Sequence, residues 1–133
     1  MQSQVKILIV DDDPDIRGVV STILEAHSYQ IVTACDGEEG LSKLKDERPD
    51  LLILDLLMPK MDGFGVLKEL QDPRLAKYRN IPILVLTSIK EDASRRRYEL
   101  ETGLQMDIDD YMEKPITPHI LIQRVEKLLQ KRL

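Results

Sequence analysis

With 133 residues, 42% of them hydrophobic and 32% charged, the chain has the size and composition of one globular domain, which we expect to span residues 1–133. The formal net charge of -5 disfavours direct binding to nucleic acid, because such binding depends on lysine and arginine side chains that neutralise phosphates. The sequence has neither an apolar run of roughly 20 residues nor a secretion signal, so we expect a cytoplasmic protein without membrane contact. Cys35 is the single cysteine, which excludes an intramolecular disulfide and a cysteine-based zinc site.

The first half of the chain alternates strand-length apolar runs with helical periodicity. A strand is predicted at 5–10, followed by a helix with Asp13 as its N-cap and Pro14 as its first residue. A second strand is predicted at 30–34. The apolar spacing of the first helix predicts a buried stripe made of Ile16, Val19, Val20, Ile23 and Leu24.

The pattern continues through the middle of the chain. Asp36 and Gly37 open a second helix that ends before Pro49, and a third strand is predicted at 51–54. A loop at 56–62 leads to a third helix, which ends near Pro73. Its apolar residues are Val66, Leu67 and Leu70.

The remaining elements complete five strand and helix pairs. A fourth strand is predicted at 83–86 and a fourth helix at about 91–102, with Gly103 as its left-handed C′ residue. A short fifth strand is centred on Tyr111 and Met112. The last helix has Thr117 as N-cap and Pro118 as first residue, and it is predicted to bury Ile120, Leu121, Val125, Leu128 and Leu129.

This alternation predicts an α/β protein with a doubly wound parallel sheet. The first, third and fourth strands are apolar on both faces, which indicates central positions covered by helices on each side. With right-handed crossovers, five strands take the flavodoxin-like order 2-1-3-4-5, and the order reverses between strands one and three.

Acidic residues follow these two strands. Asp11, Asp12 and Asp13 end the first strand, and Asp55 ends the third, so their carboxylates should meet where open α/β sheets bind ligands. Carboxylates gathered there repel one another unless a cation lies between them. Oxygen ligands without histidine or cysteine favour Mg²⁺, and an aspartate can also attack phosphorus. For Asp13 we prefer the role of helix cap.

Two further polar side chains follow strands four and five. Thr87 ends strand four and Lys114 follows strand five, and they would supply a hydroxyl and a cation to a phosphoryl group. Taken singly, Thr87 is equally well an ordinary strand-end hydroxyl and Lys114 an exposed lysine before a turn. Their common position at strand carboxyl ends favours a shared site.

Four segments together resemble the receiver domains of bacterial two-component response regulators. Residues 7–13, Ile-Leu-Ile-Val-Asp-Asp-Asp, are similar to the acidic-pair motif, and residues 52–63, which hold Met-Pro and Asp-Gly signatures, are similar to the phosphoacceptor segment. Residues 85–88, Val-Leu-Thr-Ser, resemble the switch-hydroxyl motif, and residues 111–115, Tyr-Met-Glu-Lys-Pro, the aromatic and Lys-Pro motif. The resemblance covers essentially the whole chain.

The resemblance implies a phosphorylation site. Asp55 would accept a phosphoryl group from a phosphohistidine on a sensor histidine kinase or phosphotransfer protein. Asp12 and Asp55 would bind Mg²⁺ directly, Asp11 would bind it through water, and the backbone carbonyl of Leu57 would be a further ligand. Such a protein catalyses its own phosphorylation and dephosphorylation but transforms no metabolite.

The resemblance also implies a switch. Lys114 would pair with a phosphoryl oxygen, and its peptide bond to Pro115 would be cis. Thr87 would move toward the phosphoryl group and Tyr111 would turn inward, although Tyr111 could also be a surface aromatic that keeps one rotamer. The fourth helix, fifth strand and fifth helix would then signal to a protein target or to an output domain outside this chain.

Several features depart from the family pattern or leave alternatives. Residues 103–108 lengthen the segment before strand five, and Leu57 and Ile89 are apolar where some relatives have polar groups. A degenerate receiver that binds proteins without phosphate is one alternative. A metal-dependent phosphatase would have a second acid where Leu57 stands, and a flavodoxin-type cofactor carrier would have a Ser-, Thr- and Gly-rich loop in place of Asp11 to Pro14.

Overall fold

The computed structural model describes residues 4–87 and 108–130, with Thr87 described by its backbone alone. Its sheet has five parallel strands in the order β2-β1-β3-β4-β5, which confirms the predicted topology. The strands are β1 (Lys6–Val10), β2 (Gln30–Ala34), β3 (Leu51–Asp55), β4 (Ile83–Thr87) and β5 (Asp110–Glu113). Strand β3 runs one residue further than predicted and includes Asp55.

Four α-helices and one 3₁₀ helix cover the sheet within the described ranges. The α-helices are α1 (Pro14–Glu25), α2 (Gly37–Glu47), α3 (Gly63–Leu70) and α4 (Pro118–Gln130), and the 3₁₀ helix spans Pro73–Tyr78. The predicted helix at 91–102, its Gly103 cap and Ile89 lie outside the described residues. In the part of the chain that is described, no helix has the length and apolar character needed to span a bilayer.

Aspartate side chains cap three of the four described α-helices. Asp13 accepts from the Asp15 N–H, Asp36 from the Glu39 N–H and Asp62 from the Gly65 N–H, each at 2.9 Å. An N-cap carboxylate satisfies a backbone donor that has no partner within the helix and lies at the positive end of the helix dipole. The N-cap role predicted for Asp13 is therefore confirmed.

Two apolar clusters fill the space on the two faces of the sheet. Alternate residues of β1 face opposite sides: Leu8 and Val10 pack with residues of α2 and α3, while Ile7 and Ile9 pack with residues of α1 and α4. Burial on both faces explains why the central strands are continuously apolar.

Two residues of the predicted helical stripes do not reach this core. Val19 is 47% exposed and Ile120 is 39% exposed, whereas Val20 and Leu121 beside them are completely buried. Successive helical residues point about 100° apart, so one residue on the edge of an apolar stripe faces solvent when the neighbouring residue faces the sheet. The prediction that Val19 and Ile120 are buried was wrong.

The strand register brings the carboxyl ends of four strands to one level. Val10 pairs with Leu54, so Asp11 and Asp55 follow at matching positions of adjacent strands. Asp55 pairs with Leu86, and Thr87 pairs with Glu113, the residue before Lys114. Residues from β1, β3, β4 and β5 therefore converge on one edge of the sheet.

Candidate functional site

Three carboxylates form a cluster at this edge. Asp11, Asp12 and Asp55 each place one carboxylate oxygen within 4.8 Å of the others. Asp11 is 0% exposed and Asp55 is 1% exposed, while Asp12 is exposed. Two of the three acids are thus removed from water, where like charges repel more strongly than they do in solution.

Lys114 brings one positive charge to the two buried acids. Its Nζ lies 3.1 Å from Asp55 Oδ1, to which it donates a hydrogen bond, and 3.5 Å from Asp11 Oδ2. The peptide bond between Lys114 and Pro115 is cis. The lysine reaches from the end of β5 across to β3 and β1, so residues 59 positions apart in the chain meet here.

The two oxygens of Asp11 have different surroundings. Oδ1 accepts the Asp13 N–H at 2.9 Å, whereas the buried Oδ2 has no hydrogen-bond partner in the described part of the chain. Burial raises the pKa of the Asp11 carboxyl, and the Asp13 N–H and the Lys114 ammonium act against that rise. A buried carboxylate oxygen without a hydrogen bond, in an all-oxygen cluster, fits the ligand preference of Mg²⁺.

Arg17 also contacts this edge, although no sequence pattern indicated it. Its Nη1 donates to the backbone carbonyl of Asp11 at 2.7 Å. This bond ties α1 to the turn that carries Asp11 and Asp12. A side chain that binds a backbone carbonyl leaves no pattern in the sequence, apart from the placement of an arginine near the start of a helix that follows acidic residues.

The structure places the remaining candidate residues outside the carboxylate cluster or leaves their side chains undescribed. Asp13 caps α1 and is not a member of the carboxylate cluster. Leu57, two residues after Asp55, and Tyr111 on β5 are both exposed residues. Thr87 ends β4 at the same edge, but its side chain is outside the described atoms, as is most of the segment 103–108.

Three relatives illustrate what the chain is similar to. It is 43% identical over 126 residues to the probable transcriptional regulator ycf27 of Cyanophora paradoxa, covering 95% of this chain and 48% of that protein. It is 40% identical over 126 residues to the alkaline phosphatase synthesis transcriptional regulatory protein PhoP of Bacillus subtilis, covering 95% and 49%. Among solved structures, chemotaxis protein CheY4 of Vibrio cholerae matches with a TM-score of 0.79 and 29% identity, covering 95% of this chain and 99% of that one.

The chain spans about half the length of the curated relatives it matches. The solved chain of CheY4, by contrast, is matched over nearly its whole length. The sequence profile of the response regulator receiver domain matches residues 7–126. That match covers residues of all five strands, the carboxylate cluster and Lys114, and the chain therefore belongs to the response regulator receiver domain family.

Proposed function

We propose that this chain is a phosphorylatable receiver in which Asp55 accepts a phosphoryl group from a phosphohistidine of a sensor histidine kinase or a phosphotransfer protein. The observation that carries the proposal is the contact between Asp55 and Lys114. Asp55 is almost fully buried beside Asp11, and the Lys114 ammonium lies 3.1 Å from its Oδ1. One carboxylate is thus held beside a cation and two further acids, which is what phosphoryl transfer to an aspartate requires.

The transfer proceeds by attack of an Asp55 carboxylate oxygen on phosphorus. The new P–O bond forms as the P–N bond to the donor imidazole breaks, and the imidazole nitrogen keeps the electron pair and takes up a proton. The product is an acyl phosphate on Asp55. Lys114 is within reach of the same carboxylate and would compensate the charge that arrives with the phosphoryl oxygens.

Asp11, Asp12 and Asp55, with the Leu57 carbonyl, would hold Mg²⁺. When bound, the ion would neutralise charge on the phosphoryl oxygens and on the carboxylates. The fit is supported by the 4.8 Å cluster and by the buried Asp11 oxygen without a hydrogen bond. Neither histidine nor cysteine takes part in the cluster, which is consistent with a hard cation.

Phosphorylation would transmit the signal by stabilising a second conformation of the domain. Thr87 would approach the phosphoryl group, and the exposed Tyr111 ring would turn inward to occupy the space. The surface formed by the helix predicted at about 91–102, by β5 and by α4 would then change shape. A protein partner, or an output domain outside residues 1–133, would recognise that change. The relatives named as transcriptional regulators, which are about twice as long as this chain, support an output of that kind.

Intact mass spectrometry after incubation with a small phosphodonor tests the proposal. The wild-type chain should gain one phosphoryl group when Mg²⁺ is present and none when it is chelated, and Asp55→Asn should gain none under either condition. Asp13→Asn is the matched control, because it changes an acid that caps α1 outside the cluster. A wild-type chain that stays unmodified would instead favour a degenerate receiver, which binds proteins without carrying phosphate.

A further inference from the structure

The loop after the phosphoacceptor contacts the start of helix α2 outside the acidic site. We define the phosphoacceptor loop as residues 56–62, which join Asp55 to α3. The N–H of Gly37, the first residue of α2, donates to the Met61 carbonyl at 2.8 Å. We infer that Gly37 is a positioning residue, which holds the phosphoacceptor loop in the conformation that binds the metal and phosphoryl groups. This inference rests on the proposed function.

The space at Gly37 permits no side chain. A Cβ built on Gly37 would overlap the Met61 carbonyl oxygen and would lie 2.8 Å from Met61 Cγ. The overlapped atom belongs to the backbone, so rotation of a side chain cannot relieve the contact. The loop itself, or the start of α2, would have to move.

A neighbouring contact holds the same part of the loop. Lys60, immediately before Met61, has a left-handed backbone with φ of 64°. Its Nζ lies 3.8 Å from Oδ2 of Asp36, the N-cap residue directly before Gly37. Asp36 and Gly37, the N-cap and first residue of α2, therefore contact two consecutive residues of the phosphoacceptor loop.

The other end of the loop leaves little freedom to absorb a shift. Gly63 N–H donates to the Leu56 carbonyl at 2.8 Å, which closes the loop on itself. A Cβ on Gly63 would overlap the Asp55 carbonyl oxygen and lie 2.8 Å from the Leu56 Cα. Because the loop is pinned directly beside Asp55, a displacement at Met61 must be taken up between Leu57 and Lys60. That stretch carries the backbone carbonyl proposed as a metal ligand.

Substitution of Gly37 by alanine should therefore weaken Mg²⁺ binding although Gly37 contacts no ligand. Residues that orient metal ligands typically change metal affinity by about 10- to 100-fold when mutated. We expect a loss of at least about tenfold for Gly37→Ala, measured by isothermal titration calorimetry with MgCl₂ on the unphosphorylated protein. Phosphorylation by a small donor should slow in parallel at subsaturating Mg²⁺.

Gly40→Ala is the matched control on the same helix. A Cβ there would lie 2.9 Å from Val10 Cγ2, so it is also crowded, but by a core side chain instead of the phosphoacceptor loop. Both variants should lose stability in urea unfolding, while only Gly37→Ala should lose Mg²⁺ affinity. Hydrogen exchange of the metal-free protein gives an independent measurement: the Gly63 amide should exchange faster in Gly37→Ala and at the wild-type rate in Gly40→Ala.

The outcomes separate this inference from the proposed function. If the wild-type chain neither binds Mg²⁺ nor gains a phosphoryl group, the proposed function fails. If the wild-type chain does both and Gly37→Ala matches Gly40→Ala in affinity and exchange, the positioning role of Gly37 is overturned. Should Gly37→Ala not fold, hydrogen exchange of the wild-type chain tests the same coupling, because Mg²⁺ binding should slow exchange of the Gly37 amide that donates to the Met61 carbonyl. An exchange rate of that amide unchanged by Mg²⁺ would then reject the inference.

Discussion

Replacing Asp11 by asparagine should stabilise the metal-free protein, although Asp11 is a completely buried residue at the centre of the site. Most substitutions of buried polar residues destabilise a fold. Here the wild-type side chain keeps an oxygen without a hydrogen bond next to two other acids. The amide of Asp11→Asn removes one negative charge and can donate to a neighbouring carboxylate, while its oxygen can still accept the Asp13 N–H.

The distances in the cluster and the hydrogen bonding of the amide set the size of the effect. Two like charges 4.8 Å apart, the largest separation in the cluster, repel by about 3.5 kcal/mol at an effective dielectric constant of about 20, and the buried Asp55 is such a neighbour of Asp11. The attraction to Lys114 at 3.5 Å is about 5 kcal/mol on the same scale. Solvent screens the repulsion from the exposed Asp12 to about 1 kcal/mol or less, so attraction and repulsion nearly cancel. The gain then comes from the hydrogen bond that the amide can donate where a buried oxygen had none, and we expect the free energy of unfolding to rise by about 1–2 kcal/mol.

Urea unfolding followed by circular dichroism, at neutral pH and with EDTA, measures this difference. Asp13→Asn is the control, and it should stay within about 0.5 kcal/mol of wild type, because asparagine and aspartate cap helices about equally well. Added MgCl₂ should stabilise the wild-type chain more than Asp11→Asn, since ligand binding to the folded state adds stability. A clear loss of stability in Asp11→Asn without metal would refute the electrostatic argument.

Three further predictions concern separate parts of the molecule. Gly18→Ala should stabilise the chain by about 0.5–1 kcal/mol in urea unfolding, because Gly18 lies inside α1 and, apart from the adjacent backbone of that helix, no atom of the described residues lies within 4 Å of the Cβ position. The hydrogen bonds from Arg74 lower the pKa of the Asp72 carboxyl from 3.8 to about 2. The resulting stability is present above the unfolded pKa and is lost as the pH falls from 3.8 toward 2, so Asp72→Asn should flatten the pH dependence of unfolding in that window. Leu57→Asn should shorten the lifetime of the acyl phosphate, measured with radiolabelled phosphoryl groups, because a polar side chain there can position an attacking water.

Each of these predictions has a contrary result. A less stable Gly18→Ala variant would mean that the exposed side of α1 is constrained in a way that the structure does not show. Parallel pH profiles for Asp72→Asn and wild type would show that the ion pair with Arg74 contributes nothing to stability. An equal or longer phosphoryl lifetime in Leu57→Asn would rule out shielding of the acyl phosphate by the leucine.

Much of the architecture could be predicted because it depends on local patterns. Strands buried on both faces must be apolar throughout, and this made β1, β3 and β4 recognisable as the centre of the sheet. Parallel pairing then required the acids after β1 and β3 to meet, and Asp11 and Asp55 do so. Helix starts were equally local, as the cap formed by Asp13 shows.

The missed features depend on contacts between distant parts of the chain. The edge of an apolar stripe is covered or left open by the neighbouring element, and for that reason Val19 and Ile120 were assigned to the core in error. The bond from Arg17 to the Asp11 carbonyl and the bond from Gly37 to the Met61 carbonyl both use backbone acceptors, which every residue carries. Their partners could be identified only once the elements were assembled.

The placement of Lys114 between Asp11 and Asp55 also determines the net charge of the pocket that these side chains form with Asp12. Three carboxylates and one ammonium sum to two negative charges, so a single divalent ion brings the pocket to neutrality. Exchanging the Asp55 carboxylate for an acyl phosphate of about two negative charges then shifts the total by only about one unit. Under the proposed function, the net charge of the pocket would therefore stay within about one unit of neutrality in the metal-bound protein before and after phosphorylation.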